Sequence, residues 1–337
     1  MRQPAGMEIP PEAALRGGRF TYPQARACGW SSRQLARAVR DGVLRDCGYG
    51  VYALPSDVAD PLVAHANQVR DAQLSSRKGW YAARRTSAVL MGLPIIGSRP
   101  AVPQLARDGG QRGAHGRDRH ARITPLPPSD TWTYDGLDMC TPARTVVDIA
   151  RSEVFRNGVV VADAALRRGV DKADMIAVLK RMPRWPGIIQ ARQVVRFADG
   201  RAESPGESLV RVAGRVEQLP HLEPQVEIYY YGELLGRADF LIEEYLLALE
   251  SDGAIKFDGE GVLPALLSRQ EDIRDAGIDV LRTNWDETFK DTRAFGDRVR
   301  RRLAERGLRR LPPGVELRRT AVRPQPPLLG LPDDLAA

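Results

Sequence analysis

The chain has 337 residues, 43% of them apolar, with 50 Lys and Arg against 43 Asp and Glu and a formal net charge of +7. That length exceeds one ordinary core, so two or three domains are expected, and the apolar share excludes a fully disordered chain. The excess of base suggests a polyanionic partner.

The charge is unevenly placed. Gly18 to Pro55 holds six Arg against two Asp, whereas from Gly200 to Leu308 acids outnumber bases 22 to 15. A basic front and an acidic back should do different work. Cys28, Cys47 and Cys140 are widely spaced, which fits a reducing compartment better than a disulfide framework or a zinc site. The N-terminal stretch lacks an apolar run of signal-peptide length, and Glu243-Glu244 interrupt the longest apolar region. A soluble, cytoplasmic protein with no membrane partner is expected.

Residues 1–17 read as a disordered N-terminus. From Phe20 to Cys28 the pattern predicts a short helix, Gly29 a turn, and Ser31-Ser32 an N-cap for a helix through Arg40. On that second helix Leu35, Ala38 and Val39 fall on one face, with Arg33, Arg37 and Arg40 on the other. Val43 to Leu54 reads as two short strands joined by a Gly-rich turn. Helix, turn, Arg-faced helix and hairpin over 18–57 is the order of a winged helix-turn-helix, and Arg33, Gln34, Arg37, Arg40 and the hairpin's Arg45 are its candidate DNA contacts.

Residues 58–200 read as a linking α+β domain in which helices predominate. Helices are predicted at Pro61–Ala72, Tyr81–Met91, from Thr141-Pro142, and at Val154–Arg168, Lys172–Arg181 and Gly187–Phe197, with short strands near Ala121–Ile123 and Gly136–Cys140. A Gly- and Arg-rich loop, Arg107 to Arg122, holds His115 and His120. The segment 201–308 predicts a helix at Glu207–Gln218, strands at Gln225–Tyr230, Glu233–Ile242 and Tyr245–Glu250, a helix at Leu263–Ala276, a strand at Asp279–Thr283 and a closing helix at Thr288–Arg306. That order is an α/β sandwich around a mixed sheet. Residues 309–337, rich in Pro and Arg, read as a disordered tail.

Chemistry concentrates in the sandwich. Asp239 lies in an apolar strand pattern, Glu250 and Asp252 end the next, and Lys256 follows. Carboxylates at the edge of such a core repel one another unless a divalent cation joins them. The set reads as a candidate Mg²⁺-dependent phosphodiester-cleaving centre, with Asp239, Glu250 and Glu207 as metal ligands and Asp252 and Lys256 completing the catalytic set.

Two resemblances bear on these readings. Phe20-Thr21, Ser31-Ser32-Arg33-Gln34-Leu35 and Gly50-Val51-Tyr52-Ala53 are similar to the N-terminal winged helix of the AbiE-type abortive-infection antitoxins, a family of transcriptional autorepressors. Arg84 to Pro94 and Thr141 to Asp148 resemble the linking region of longer actinobacterial proteins of this kind. Glu203 to Arg306 resembles the restriction-endonuclease-like domain of the very-short-patch mismatch repair endonuclease, whose helix Glu, strand Asp and Glu-x-Lys or Glu-x-Asp pair would be Glu207, Asp239, Glu250 and Asp252 here. The sequence departs from that pattern where Asp252 stands two residues after Glu250 instead of Lys, and where Leu266-Leu267 replace a Glu-Lys pair.

An α+β multidomain protein is therefore expected: an antitoxin-like transcriptional regulator that binds double-stranded DNA, with an operator or a toxin protein as partner, and carries a nuclease-fold domain. The alternatives are a Mg²⁺-dependent DNA endonuclease, or a degenerate nuclease fold acting as a protein-interaction module.

Overall fold

A computed structural model describes residues 8–55, 60–76, 79–109, 114–115, 119–134, 136–252 and 270–325. It is a mixed α+β protein of several sheets and helices, and it divides into two compact units. The first is Met1–Ile149 with Ala177–Met182 and Leu328–Ala337, and the second is Ala150–Ile176 with Pro183–Pro327.

The first unit opens with a 3-10 helix at Pro11–Arg16, then β1 (Arg19–Thr21), α1 (Tyr22–Ala27), α2 (Ser32–Arg40), β2 (Arg45–Gly48) and β3 (Val51–Ala53). Residues 8–17, expected to be disordered, are corrected. Ala13 is buried in the core with Phe20, Ala25, Trp30, Leu35, Ala38 and Leu44, and Trp30 Nε1 donates to Glu8 O at 2.9 Å. Phe20 belongs to β1, which pairs with β3 in a three-stranded sheet of order β1-β3-β2, where a helix start was expected.

Both helices begin with capping boxes. Thr21 pairs reciprocally with Gln24 and Ser31 with Gln34, which satisfies donors that would otherwise be orphaned at each first turn. The β2–β3 turn uses positive φ at Gly48, Tyr49 and Gly50. Glycine adopts such angles without strain, which explains two of the three residues.

Next come α3 (Pro61–Leu74), β4 (Tyr81–Ala82), α4 (Arg84–Leu90), β5 (Gln104–Arg107), β6 (Ala114–His115), β7 (His120–Ile123), β8 (Thr131–Tyr134), β9 (Leu137–Cys140) and α5 (Pro142–Ala150). The expected helical linking domain is corrected, because this stretch builds a six-stranded sheet of order β6-β7-β5-β4-β9-β8. Its strands have two to four residues, too few for alternation to show in sequence. His115 and His120, read as loop, face each other in the β6–β7 register. A buried ion network supports α5: Arg144 donates to Asp148 and to Asp130, each at 2.8 Å, and Asp130 also pairs with Arg181.

In the second unit α6 (Phe155–Arg167), α8 (Ile188–Phe197) and α9 (Pro205–Val216) precede β10 (Glu223–Tyr230), β11 (Glu233–Ile242), β12 (Leu247–Asp252) and β13 (Asp279–Asn284). Lys172–Arg181 forms α7, as its pattern predicts. The predicted closing helix is two helices, α10 (Trp285–Lys290) and α11 (Thr292–Arg306), because the Asp291 carboxylate accepts from Ala294 N at 3.0 Å and starts a new one.

β14 (Val315–Arg319) lies within the stretch read as a disordered tail, which is corrected for these residues. It pairs antiparallel with β10, from Val226↔Arg319 to Tyr230↔Val315. The five-stranded order is β13-β12-β11-β10-β14, parallel between β12 and β13 and antiparallel elsewhere. Leu247, Leu249, Phe240 and Leu281 join Val210, Phe295 and Val299 in one core, while Leu241, Ala248 and Val280 join Ile273 and Val315 in another. The period-2 alternation of the strands thus separates two apolar layers.

α9 is pinned by a buried carboxylate. Asp163 of α6 accepts from Ser208 Oγ at 2.8 Å, Arg211 Nη1 at 2.7 Å and Asp199 N at 2.8 Å. Burial pushes its acid up to about 6, against the pull of Arg211 and the other donors. Gly187, at φ +76°, sits where an added Cβ would lie 1.8 Å from Arg151 O. Gly187→Ala should therefore cost at least about 2 kcal/mol from left-handed strain and overlap. Urea unfolding checks this, and an unchanged midpoint would contradict it.

Candidate functional site

The first candidate surface is the outer face of α2. Leu35 and Ala38 are buried, and Arg33, Gln34, Arg37 and Arg40 are exposed. This is the 3.6-residue pattern of a helix anchored on one side. Arg37 pairs with Asp41 at 3.3 Å, an exposed contact that other ligands can displace. Arg33 and Arg40 make no ion pair or hydrogen bond among the described residues. Gln34, expected at the DNA, is engaged in the cap: its Oε1 accepts from Ser31 N at 2.7 Å and Ser31 Oγ at 2.6 Å.

Arg45 is also engaged. Its Nη2 lies 3.5 Å from both Cys47 Sγ and Asp71 Oδ2, and Asp71 Oδ1 accepts from buried Arg19 Nε at 2.7 Å. The hydrogen bond to Cys47 is the main cause that raises the Arg45 pKa. Sequence reasoning missed Tyr49, which is 79% exposed at the hairpin turn with the Arg119 guanidinium 5.4 Å from its ring centre. The Gly-Tyr-Gly triplet was the available signal.

The second candidate is the carboxylate group of the second unit. Ser204 caps α9 by accepting from Glu207 N at 3.1 Å, with Pro205 in the first turn. An added Cβ on Gly206 would lie 2.9 Å from Ser251 Oγ, so this turn abuts the end of β12. Glu207 Oε2 accepts from Glu203 N at 2.7 Å and Gln225 Nε2 at 2.8 Å. Asp239 Oδ2 accepts from Ser251 N at 2.9 Å, and Glu250 Oε2 from Gln270 Nε2 at 3.0 Å. Glu203 instead forms a forked pair with Arg237, both bonds at 2.8 Å.

Asp239 feels both of the other acids. Burial, then the charges of Glu207 and Glu250, push Asp239 up to about 7, although Ser251 N and Arg237 oppose this. Burial likewise raises Glu207. Gln225 was not foreseen. It lies in β10 with a left-handed backbone at φ +56°, is 1% exposed, and its Oε1 is buried without a hydrogen-bond partner among the described residues.

Among the described residues no three His, Cys, Asp or Glu form a group able to hold a metal ion. As arranged, Glu207, Asp239 and Glu250 do not fit one as joint ligands, and neutral donors satisfy them instead. Asp252 ends β12 opposite Asn284, and Lys256 lies outside the described residues.

A carboxyl whose folded pKa is raised is stabilising below its unfolded value and loses that contribution as pH rises through the folded value. Asp239 therefore costs stability between pH about 4 and about 7. Asp239→Asn, which keeps an acceptor for Ser251 N, should be more stable than the parent at pH 8 by on the order of 1–3 kcal/mol, with the gap closing by pH 4. Urea melts at both pH values test this, and a constant gap would refute it.

Two curated relatives, the uncharacterized proteins MT2308 and Rv2248 of two Mycobacterium tuberculosis strains, are each 30% identical over 164 residues, which is 48% of this chain. The chain spans 60% of the length of these relatives. The crystal structure of the RV2827C protein from Mycobacterium tuberculosis aligns with TM-score 0.36 and 17% identity, over 63% of this chain and 85% of that one. No helix among the described residues is long and apolar enough to cross a membrane. Residues 7–55 match the family described as transcriptional regulator, AbiEi antitoxin, so the chain carries an AbiEi antitoxin family domain at its N-terminus.

Proposed function

We propose that the chain is an antitoxin-like, DNA-binding transcriptional regulator, with residues 18–57 as a winged helix-turn-helix and residues 201–308 as a restriction-endonuclease-like sandwich. The observation that carries this reading is α2, whose inner side is fixed in a core while Arg33, Arg37 and Arg40 face solvent. Guanidinium groups on such a helix suit phosphates and the paired acceptors of guanine in the major groove. The β2–β3 hairpin, with Arg45 and Tyr49, would follow the adjacent backbone. The family description over residues 7–55 supports a DNA operator or a toxin protein as partner.

Fluorescence anisotropy with duplex from the chain's own promoter region tests the reading. Arg33→Ala with Arg37→Ala should weaken binding at least about tenfold and flatten its salt dependence by about two in slope. Unchanged affinity would remove α2 from the DNA.

A second reading, a Mg²⁺-dependent endonuclease, rests on the charges of Glu207 and Glu250 acting on Asp239, and it requires these side chains to turn from their present donors toward one shared ion. On this reading supercoiled DNA is nicked with Mg²⁺ but not with EDTA, and Asp239→Ala and Glu250→Ala each abolish nicking. Intact plasmid in every lane would leave the sandwich as an interaction scaffold.

A further inference from the structure

The last helix of the second unit concentrates charge that the rest of the fold does not explain. Between Thr292 and Leu311 the chain places eight arginines against Asp297 and Glu305, which accounts for six of its seven net charges. The inner side of α11 is apolar, with Phe295, Val299 and Leu303 buried against the sheet. Half of the arginines are engaged: Arg298 pairs with Glu287 at 2.6 Å, Arg300 with Glu217 at 3.2 Å, Arg302 with Asp279 at 3.0 Å, and Arg306 donates to Tyr245 O at 2.9 Å.

The other half is free. Arg293, Arg301, Arg309 and Arg310 are exposed, and their side chains make no hydrogen bond or ion pair among the described residues. Arg293 and Arg301 stand four residues before and after Asp297, and Arg300 Nη2 donates to Asp297 Oδ1 at 2.7 Å, so these groups share one face of the helix. Gly307 ends α11, and Arg309 N donates to Glu244 O at 2.9 Å, which holds the following segment in place.

We propose that the outer face of α11, continued by Arg309 and Arg310, is a second nucleic-acid contact that grips the sugar-phosphate backbone of duplex DNA. Charge complementarity selects a polyanion. A helix of 15 residues is about 22 Å long, which matches six or seven phosphates spaced about 3.4 Å along one strand. With no base-reading partner this contact adds affinity regardless of sequence. The inference rests on the DNA-binding reading, since α2 presents exposed arginines to the same class of ligand. Leu308 and Leu311, both exposed, make an anionic lipid surface the competing occupant.

The test uses the full chain carrying R293Q, R301Q, R309Q and R310Q together. Binding to a mixed-sequence 30-base-pair duplex is followed by anisotropy across salt concentrations, with R33A/R37A in parallel. The quadruple variant should bind at least about tenfold more weakly and lower the salt slope by about three to four, and replacement of all four by Lys should restore the slope. An unchanged slope in the quadruple variant, with R33A/R37A impaired, overturns the inference and leaves the α2 reading standing. A reduced slope in the quadruple variant, with R33A/R37A unimpaired, supports the inference and removes α2. Sedimentation with phosphatidylserine vesicles that the quadruple variant abolishes, while its DNA slope is unchanged, assigns the face to membrane and overturns the proposal. The four side chains are exposed and make no hydrogen bond or ion pair among the described residues, so the melting temperature should hold, and a variant that fails to fold is replaced by R293Q/R301Q alone, with an expected slope change of about two.

Discussion

The second unit depends on one buried anion. Asp163 collects a hydroxyl from Ser208, a guanidinium from Arg211 and a backbone N–H from Asp199, and so joins α6, α9 and the intervening turn. A buried carboxylate is costly unless it is paired and fully hydrogen-bonded, and removing one partner of such a pair costs about 3–5 kcal/mol. Because Ser208 follows Glu207 directly, the same interaction fixes where Glu207 stands. The acid that faces Gln225 is positioned by another acid that never reaches solvent.

The two units treat charge in opposite ways. Around α2 the guanidinium groups are left outside, weakly engaged and available. In the carboxylate group the acids are drawn inward and met by amide and backbone donors, and burial with two acidic neighbours holds Asp239 at about 7 against the pull of its donor. A surface of mobile cations suits a ligand that arrives with its own charge, whereas buried acids on adjacent strands suit a role set by protonation or by a cation that rearranges them.

The sequence was most readable where local chemistry and periodicity agree. Ser31 caps α2 as its sequence suggests, the α2 faces fall as their spacing dictates, and β11 with its Asp239 matches its apolar run end to end. In the six-stranded sheet β7 and β9 were anticipated near Ala121–Ile123 and Gly136–Cys140, whereas the other strands, of two to four residues, left too little alternation to detect. Gln34 looked like a base-reading side chain because exposure and type say nothing of a reciprocal cap. Gln225 was invisible because neither its type nor its spacing shows the backbone at φ +56° or the reach of its amide to Glu207. β14 was masked by its proline-rich neighbours, and its pairing partner lies some ninety residues earlier in the chain, beyond the reach of any local signal.

That late strand has a consequence for anyone shortening the protein. β14 occupies the outer row of hydrogen-bonding groups along Val226–Tyr230, and Val315 closes part of the core beneath. Cutting at Leu311 would bare a straight five-residue ladder beside freshly uncovered apolar side chains. Such an open rim is a template for another chain, and trimmed protein should accumulate as cross-paired, insoluble material instead of a smaller soluble domain.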